Sequence, residues 1–257
     1  MNIKEFIPIK QLKPYVKCFK IIESEFETIN RVLPNNSSTI AFQLQGKISY
    51  IENEIETELP TAFFTGYRKT PRIINYKKNT KSLIVQFTEI GACSIFGSEL
   101  FEIFGKSVPL NVFLKKEEKD NLETKLNETE NNRQLICVAE SFLLSKLSLC
   151  KIDKLIEKSL SDIYRHNGII QIKDLANTFF ISQDAFEKRF RKTIGTSPKK
   201  FASIVQLNSI IKREPQNSLT EFALECGFYD QAHFNHSFKV FTGTTPSKFY
   251  NTLSDFC

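Results

Sequence analysis

FRKTIGTSPKKF at 190–201 aligns without gaps to FKVFTGTTPSKF at 238–249. Phe190 and Phe238, Gly195 and Gly243, Pro198 and Pro246, Lys200 and Lys248, and Phe201 and Phe249 coincide. Self-similarity of this kind marks one supersecondary unit used twice. A helix-turn-helix pattern precedes each copy. In the first, IKDLANTFFI reads as helix and turn and SQDAFEKRFRKTI as a second helix; in the second, SLTEFALECGFY is followed by DQAHFNHSFKVFT. Ser218 and Glu221 make an S-x-x-E capping box. Ser182 and Asp230 stand where a short oxygen side chain caps the second helix of each unit. Gly227 sits where the turn needs a positive φ. Phe180 occupies that place in the first unit, whose first helix has only Gln171, a poor cap.

The helical period separates two faces. Phe186 and Phe190 lie four apart, as do Phe234 and Phe238, with Phe241 on the same side; with Leu175, Ala176 and Ala223 they form the expected core. The opposite face of the first unit presents Gln183, Asp184, Glu187, Lys188 and Arg191. That of the second presents Gln231, Ala232, Asn235, His236 and Lys239. On two helices repeated in tandem, side chains of these types can bond base edges or phosphates in a major groove. On an isolated helix the same residues would read as a solvated face.

The segment resembles the DNA-binding domain of the AraC/XylS family of transcription regulators. It carries Gly227-Phe228-Tyr229-Asp230, Phe234, Phe238-Lys239, Gly243-Thr244-Thr245-Pro246 and Phe249. The resemblance covers roughly residues 155–252. It implies two units joined by a linker helix at about Pro198–Lys212, with Ser182–Ile194 and Asp230–Thr242 entering neighbouring major-groove segments of double-stranded DNA. Many family members have an arginine in the linker helix where this chain has Gln206. Asp184 and Glu187 are acids on a surface expected to face phosphate, although glutamate can accept a bond from cytosine N4.

Upstream the texture is β. TIAFQL (39–44), ISYIE (48–52), AFFTG (62–66), RIINYK (72–77) and KSLIVQFT (81–88) are short β-branched and aromatic runs separated by turn residues. Residues 1–30 read as a lead-in of extended or helical pieces. GACSIFGSELFEIFG (91–105) has helical spacing with stops at Gly97 and Gly105. A polar stretch from Lys115 to Arg133 and an apolar one from Leu135 to Leu147 read as a helical pair packed on the β domain, or as a dimerisation surface. The expected fold class is α+β: a small cupin-like barrel or sandwich with flanking helices over 1–150, then an all-α tandem helix-turn-helix domain over 153–257. The boundary is expected near Ser148–Asp153. The front part resembles, more weakly, sensor domains of AraC-like proteins, through K-P-Y-V (13–16), Leu33-Pro34-Asn35 and Phe64-Thr65-Gly66. That resemblance implies effector binding, dimerisation or both. Some of Phe42, Tyr50, Phe63, Phe64, Tyr67, Tyr76 and Phe87 would line a pocket for an uncharged or weakly polar molecule, oriented by Gln43, Gln86 or Arg68.

Bulk properties bound the alternatives. The 257 residues carry a net charge of +6. Residues 151–257 hold 15 Lys+Arg against 11 Asp+Glu, and residues 1–150 hold 20 against 18, so the excess leans mildly toward the C-terminal segment. The six cysteines show no C-x-x-C pair and no zinc spacing. No apolar run approaches the ~18–20 residues that span a bilayer, and the start MNIKEFIPIKQLKPYV lacks the apolar core of a signal peptide. The expectation is a cytoplasmic protein with no membrane contact. A cupin metalloenzyme would need histidine ligands; the three histidines, His166, His233 and His236, all fall in the helical part. No metal, cofactor or catalytic residue is expected. Double-stranded DNA, a small-molecule effector and a second copy of the chain are the expected partners. The rival reading is a protein-interaction module whose helix-turn-helix units do not bind DNA.

Overall fold

The structure is a computed structural model that describes residues 1–147 and 153–254. The expected domain boundary, Ser148–Asp153, therefore lies almost wholly outside the described residues. The strands are β1 (Asn2–Phe6), β2 (Val16–Ser24), β3 (Thr28–Val32), β4 (Thr39–Gln45), β5 (Ile48–Glu52), β6 (Ile55–Glu58), β7 (Ala62–Thr65), β8 (Arg72–Tyr76), β9 (Thr80–Phe87) and β10 (Ser107–Pro109). They form a six-stranded sheet, β1-β2-β9-β4-β7-β10, and a four-stranded sheet, β3-β8-β5-β6. The sheets face each other as a sandwich and do not close into a barrel.

The larger sheet is covered on both faces, which explains its sequence. Phe19, Ile40, Phe64 and Phe87 point away from the small sheet and pack with Leu122, Leu126, Leu135 and Leu143. Those leucines come from α2 (Lys116–Asn127) and α3 (Asn132–Lys146), which follow α1 (Gly91–Phe96). The helical pair thus packs on the β domain, as its apolar spacing predicts. The alternate residues of the same strands, Ile22, Ala41 and Phe63, turn inward to meet Ile48, Leu59 and Tyr76. A strand buried on both faces loses its polar alternation. AFFT of β7 is buried at all four positions. The lead-in holds β1, β2 and the start of β3, and of these β2 is hidden for the same reason. VKCFKIIES does not alternate cleanly, yet β2 pairs with both β1 and β9.

The C-terminal domain is helical: α4 (Lys154–Arg165), α5 (Ile172–Thr178), α6 (Gln183–Ile194), α7 (Pro198–Ile210), α8 (Leu219–Glu225), α9 (Gln231–Thr242) and α10 (Pro246–Ser254). Phe186, Phe190, Phe234, Phe238 and Phe241 are fully enclosed. The caps follow the sequence signals. Ser182 accepts from the Ala185 amide, Asp230 from that of His233, and Ser218 and Glu221 form the reciprocal box. Gln171 makes no cap bond. Gly227 and Phe180 both adopt positive φ, +82° and +55°.

Asp153 caps α4 through the amides of Leu155 and Ile156, and its carboxylate also holds the Arg189 guanidinium from α6, with Nη2 at 2.9 Å. Burial alone would raise the Asp153 pKa. The Arg189 bond and the two backbone amides outweigh it and leave the carboxyl below its usual value. The stability this supplies is present above the unfolded-state pKa, roughly 3.9, and is lost as pH falls through the lower folded value. Asp153→Ala should cost about 0.5–2 kcal/mol from the cap, read by urea denaturation at pH 7. Asp153→Asn, which keeps a capping oxygen, should cost less. Equal stability of wild type and the alanine variant would remove the cap from the account.

Candidate nucleic-acid interface

The two helices expected to read DNA, α6 and α9, are built alike. Each starts at an oxygen cap, buries phenylalanines four apart and ends at a left-handed glycine, Gly195 or Gly243. The faces opposite the phenylalanines are the ones left to solvent. On α6, Gln183, Asp184, Lys188 and Arg191 are exposed, and Glu187 is half-buried. Glu187 is the hub of this face. It accepts from Gln183 Nε2 at 3.0 Å and from Arg191 Nη2 at 2.9 Å. Its charge is therefore offset by Arg191 one turn on, which weakens the repulsion that an acid would exert on phosphate. Lys192 adds a further exposed cation at the same end.

On α9, Ala232, His236 and Lys239 are exposed, and Gln231 and Asn235 are half-buried. Gln231 Oε1 accepts from Thr220 Oγ1 at 2.9 Å, which fixes its carbonyl toward α8 and leaves the amide nitrogen to donate. Asn235 Oδ1 is enclosed with no donor among the described residues. The most open of these positions are thus Ala232, His236 and Lys239. Two aromatic residues that periodicity does not mark out lie at the entries to these helices: Phe180 is 96 % exposed and Tyr229 is 90 % exposed. The signal available in the sequence was their place, within two residues of each N-cap.

Helix α7 joins the units. Gln206 donates from Nε2 to the Cys226 carbonyl at 2.8 Å and so ties the linker to the turn of the second unit. Gly168, just after α4, presses on the same helix.

The front domain touches the C-terminal end of both reading helices. Cys93 Sγ lies 2.9 Å from the Lys192 carbonyl, and a methyl placed on Gly195 would stand 3.0 Å from Leu100 Cβ. Arg31 Nη1 donates to the Thr242 carbonyl at 3.3 Å, and a methyl on Gly243 would meet Arg31 Nη1 at 2.9 Å and Pro71 Cγ at 3.3 Å. Helix α7 docks on the same side. Phe201 packs edge-on against Tyr67 and Tyr164, and Asn208 Nδ2 donates to Asn36 Oδ1 at 3.0 Å.

A helix-turn-helix domain model matches residues 175–252, from within α5 into α10, and takes in both reading helices and both G-x-[ST]-P tails. That segment is thus an AraC-type helix-turn-helix domain. A domain of unknown function matches residues 4–109, which hold the ten strands of the sandwich. A probable transcriptional regulator, LumQ of Photobacterium leiognathi, is 23 % identical over 163 residues, which is 60 % of this chain and 63 % of LumQ. An uncharacterized helix-turn-helix transcriptional regulator of Haemophilus influenzae is 33 % identical over 85 residues, 32 % of this chain and 28 % of its own. The matches thus span less than two thirds of either relative. Among solved structures, ToxT from Vibrio cholerae aligns over 98 % of both chains at 11 % identity, with a TM-score of 0.43. No helix among the described residues is long and apolar enough to cross a membrane.

If the exposed faces meet DNA, two roles with different signatures are expected of them. Replacing His236 by alanine should weaken binding to a selected site by about 1–3 kcal/mol and relax preference at one position only. Replacing Lys239 or Arg191 should lower affinity for every sequence and flatten the salt dependence by about one unit of slope. Titrations of selected and scrambled duplexes at two or more salt concentrations separate the two. Identical behaviour of the three variants on both duplexes would mean that these residues do not divide into readers and anchors.

Proposed function

We propose that this protein is a sequence-specific, cytoplasmic DNA-binding transcription regulator with no reaction of its own, and that its front domain adjusts DNA binding in response to a small molecule. The observation that carries the reading is the pair α6 and α9. They are two capped helices of one chain with polar faces open to solvent and phenylalanine faces locked in a core. One copy holds both, so a single chain suffices to cover two groove segments, and a homodimer would double the site. In this reading Gln183, Asp184, Glu187, Gln231, Ala232, Asn235 and His236 face base edges. Lys188, Arg191 and Lys239 face phosphates, and Phe180 and Tyr229 lie against the sugar–phosphate backbone. The contacts of Leu100 on Gly195 and of Arg31 and Pro71 on Gly243 support control by the front domain, because they bear on the ends of both reading helices.

The test is selection of the 257-residue protein against a random duplex library. The expected product is a site with two preferred segments about 34 Å apart, one helical turn. No enrichment over random duplex would favour the protein-interaction reading instead, and a single preferred segment would remove one reading helix from the mechanism.

A further inference from the structure

Between the two sheets the packing is incomplete. A cavity of about 250 Å³ opens there, just below the roughly 300–1,000 Å³ usual for small-molecule sites. The strand registers give it an axis. At one end stand Thr39 and its two cross-strand neighbours, Thr65 and Gln86, with Arg68 and Arg72 beside them. Ala41, Phe63 and Ile84, the next inward layer of the same strands, make the middle. Ile22, Ile48, Leu59 and Tyr76 close the far end.

The two arginines are the unusual feature. Neither has a carboxylate within ion-pair reach among the described residues. Among the described residues Arg68 donates only to backbone carbonyls, from Nη2 to Val32 at 3.0 Å and Leu33 at 3.2 Å and from Nε to Thr70 at 3.2 Å, and its Nη1 has no acceptor there. Arg72 is held by Ser107 Oγ and, at 3.3 Å, the Gly105 carbonyl, with its guanidinium over the Tyr50 ring. Glu52 attracts Arg72 from a distance, a smaller influence than burial. Burial holds the Arg68 guanidinium down to about 10 and lowers Arg72 as well. Two half-buried, neighbouring cations that repel each other and lack an anion favour one from outside, and guanidinium matches carboxylate geometry in particular.

We propose that this cavity is the effector site and that it takes an organic monocarboxylate with a compact apolar body, its carboxylate on Arg68 and Arg72 and its body running toward Ile48 and Tyr76. This deepens the effector-responsive reading and rests on it. An anion matches the charge on the page better than the uncharged molecule expected from the aromatic residues alone. The charged end of the cavity also lies next to the clamp on α9. On β3, Asn30 and Val32 line the cavity while Arg31 between them holds Thr242, and Pro71 at Gly243 adjoins Arg72.

The test is calorimetric titration of the 257-residue protein, without DNA, with 4-phenylbutyrate and hexanoate. The matching alcohols and inorganic phosphate are the controls. At least one acid should bind, at least tenfold more tightly than its alcohol and than phosphate. Arg68→Gln should remove the preference for acid over alcohol. Ala41→Leu, which fills the cavity middle and leaves both arginines, should remove binding of acid and alcohol alike. The melting temperatures of both variants check that they remain folded. The proposal is overturned if neither acid binds, if alcohol or phosphate binds as well as acid, or if a folded Ala41→Leu variant binds the acid unchanged. Because no DNA is present, such a failure leaves the regulator reading standing, and that reading fails separately in the duplex selection.

Discussion

Phe238→Ala should unfold the second helix-turn-helix unit and reduce binding at a selected site to the level of random duplex. Phe238 is fully enclosed and meets three rings, Phe234 at 5.5 Å, Phe249 at 5.3 Å and Tyr250 at 5.7 Å between centroids. Truncation removes the contacts that join α9 to α10. A buried Phe→Ala change costs about 3–5 kcal/mol, against a total of roughly 5–15 kcal/mol for an ordinary domain. Collapse of neighbours into the gap is hindered because Phe222 and Phe234 are themselves packed edge to face at 6.0 Å. The measurement is urea denaturation followed by circular dichroism, with duplex titration on the same sample. Lys239→Ala, on the same helix but outside the core, is the control. It should leave the denaturation midpoint in place and change only affinity and its salt dependence. A Phe238→Ala variant within about 1 kcal/mol of wild type would mean that the unit does not depend on this cluster.

The contrast between these two positions shows what the sequence could reveal. The phenylalanine spacing, the oxygen caps and the left-handed glycines are local signals. Each depends on residues within a turn or two, so Ser182, Ser218, Asp230, Gly227 and even the strained Phe180 read correctly. Strands in a sheet buried on both faces carry weaker signals, and β2 was legible only as part of an undefined lead-in. Contacts between the domains have no local signature at all. Arg31 and the Thr242 carbonyl are 211 residues apart. The cavity is similar, for its lining comes from strands scattered over the first 86 residues. Of the polar groups expected to orient a ligand, Arg68 and Gln86 do line it. Gln43 instead spends its amide on the backbone, donating to the Leu59 and Pro60 carbonyls at 2.7 and 2.6 Å and accepting from the Ile48 amide at 2.7 Å. A glutamine that closes a strand connection and one that faces a cavity look alike in sequence, because the difference lies in which backbone groups would otherwise be left unpaired.

Gly168→Ala should disturb the spacing between the reading helices, although the residue touches neither. Gly168 closes α4 with φ +78° and donates to the Ile163 carbonyl at 2.8 Å. A methyl there would stand 2.1 Å from the Ala202 carbonyl oxygen and 2.6 Å from the Gln206 backbone nitrogen, both in the middle of α7. Neither partner is a flexible side-chain tip, so the loop and the linker helix must separate. The left-handed conformation costs an L residue about 1–2 kcal/mol, and forced overpacking typically adds about 1–3 kcal/mol, so the expected loss is roughly 2–5 kcal/mol. The displaced helix is the one whose Gln206 holds the Cys226 carbonyl, the turn that aims α9. A variant that stays folded should therefore bind each half of the selected site but pair them poorly. Its affinity should recover, at least in part, on duplexes whose two segments are moved by one base pair. Titrating wild type and variant against a set of spacer lengths measures this. A shifted optimum with unchanged base preference places the effect in α7. An unchanged optimum at undiminished affinity would show that the loop yields without moving the linker, and that the register between the reading helices is set elsewhere.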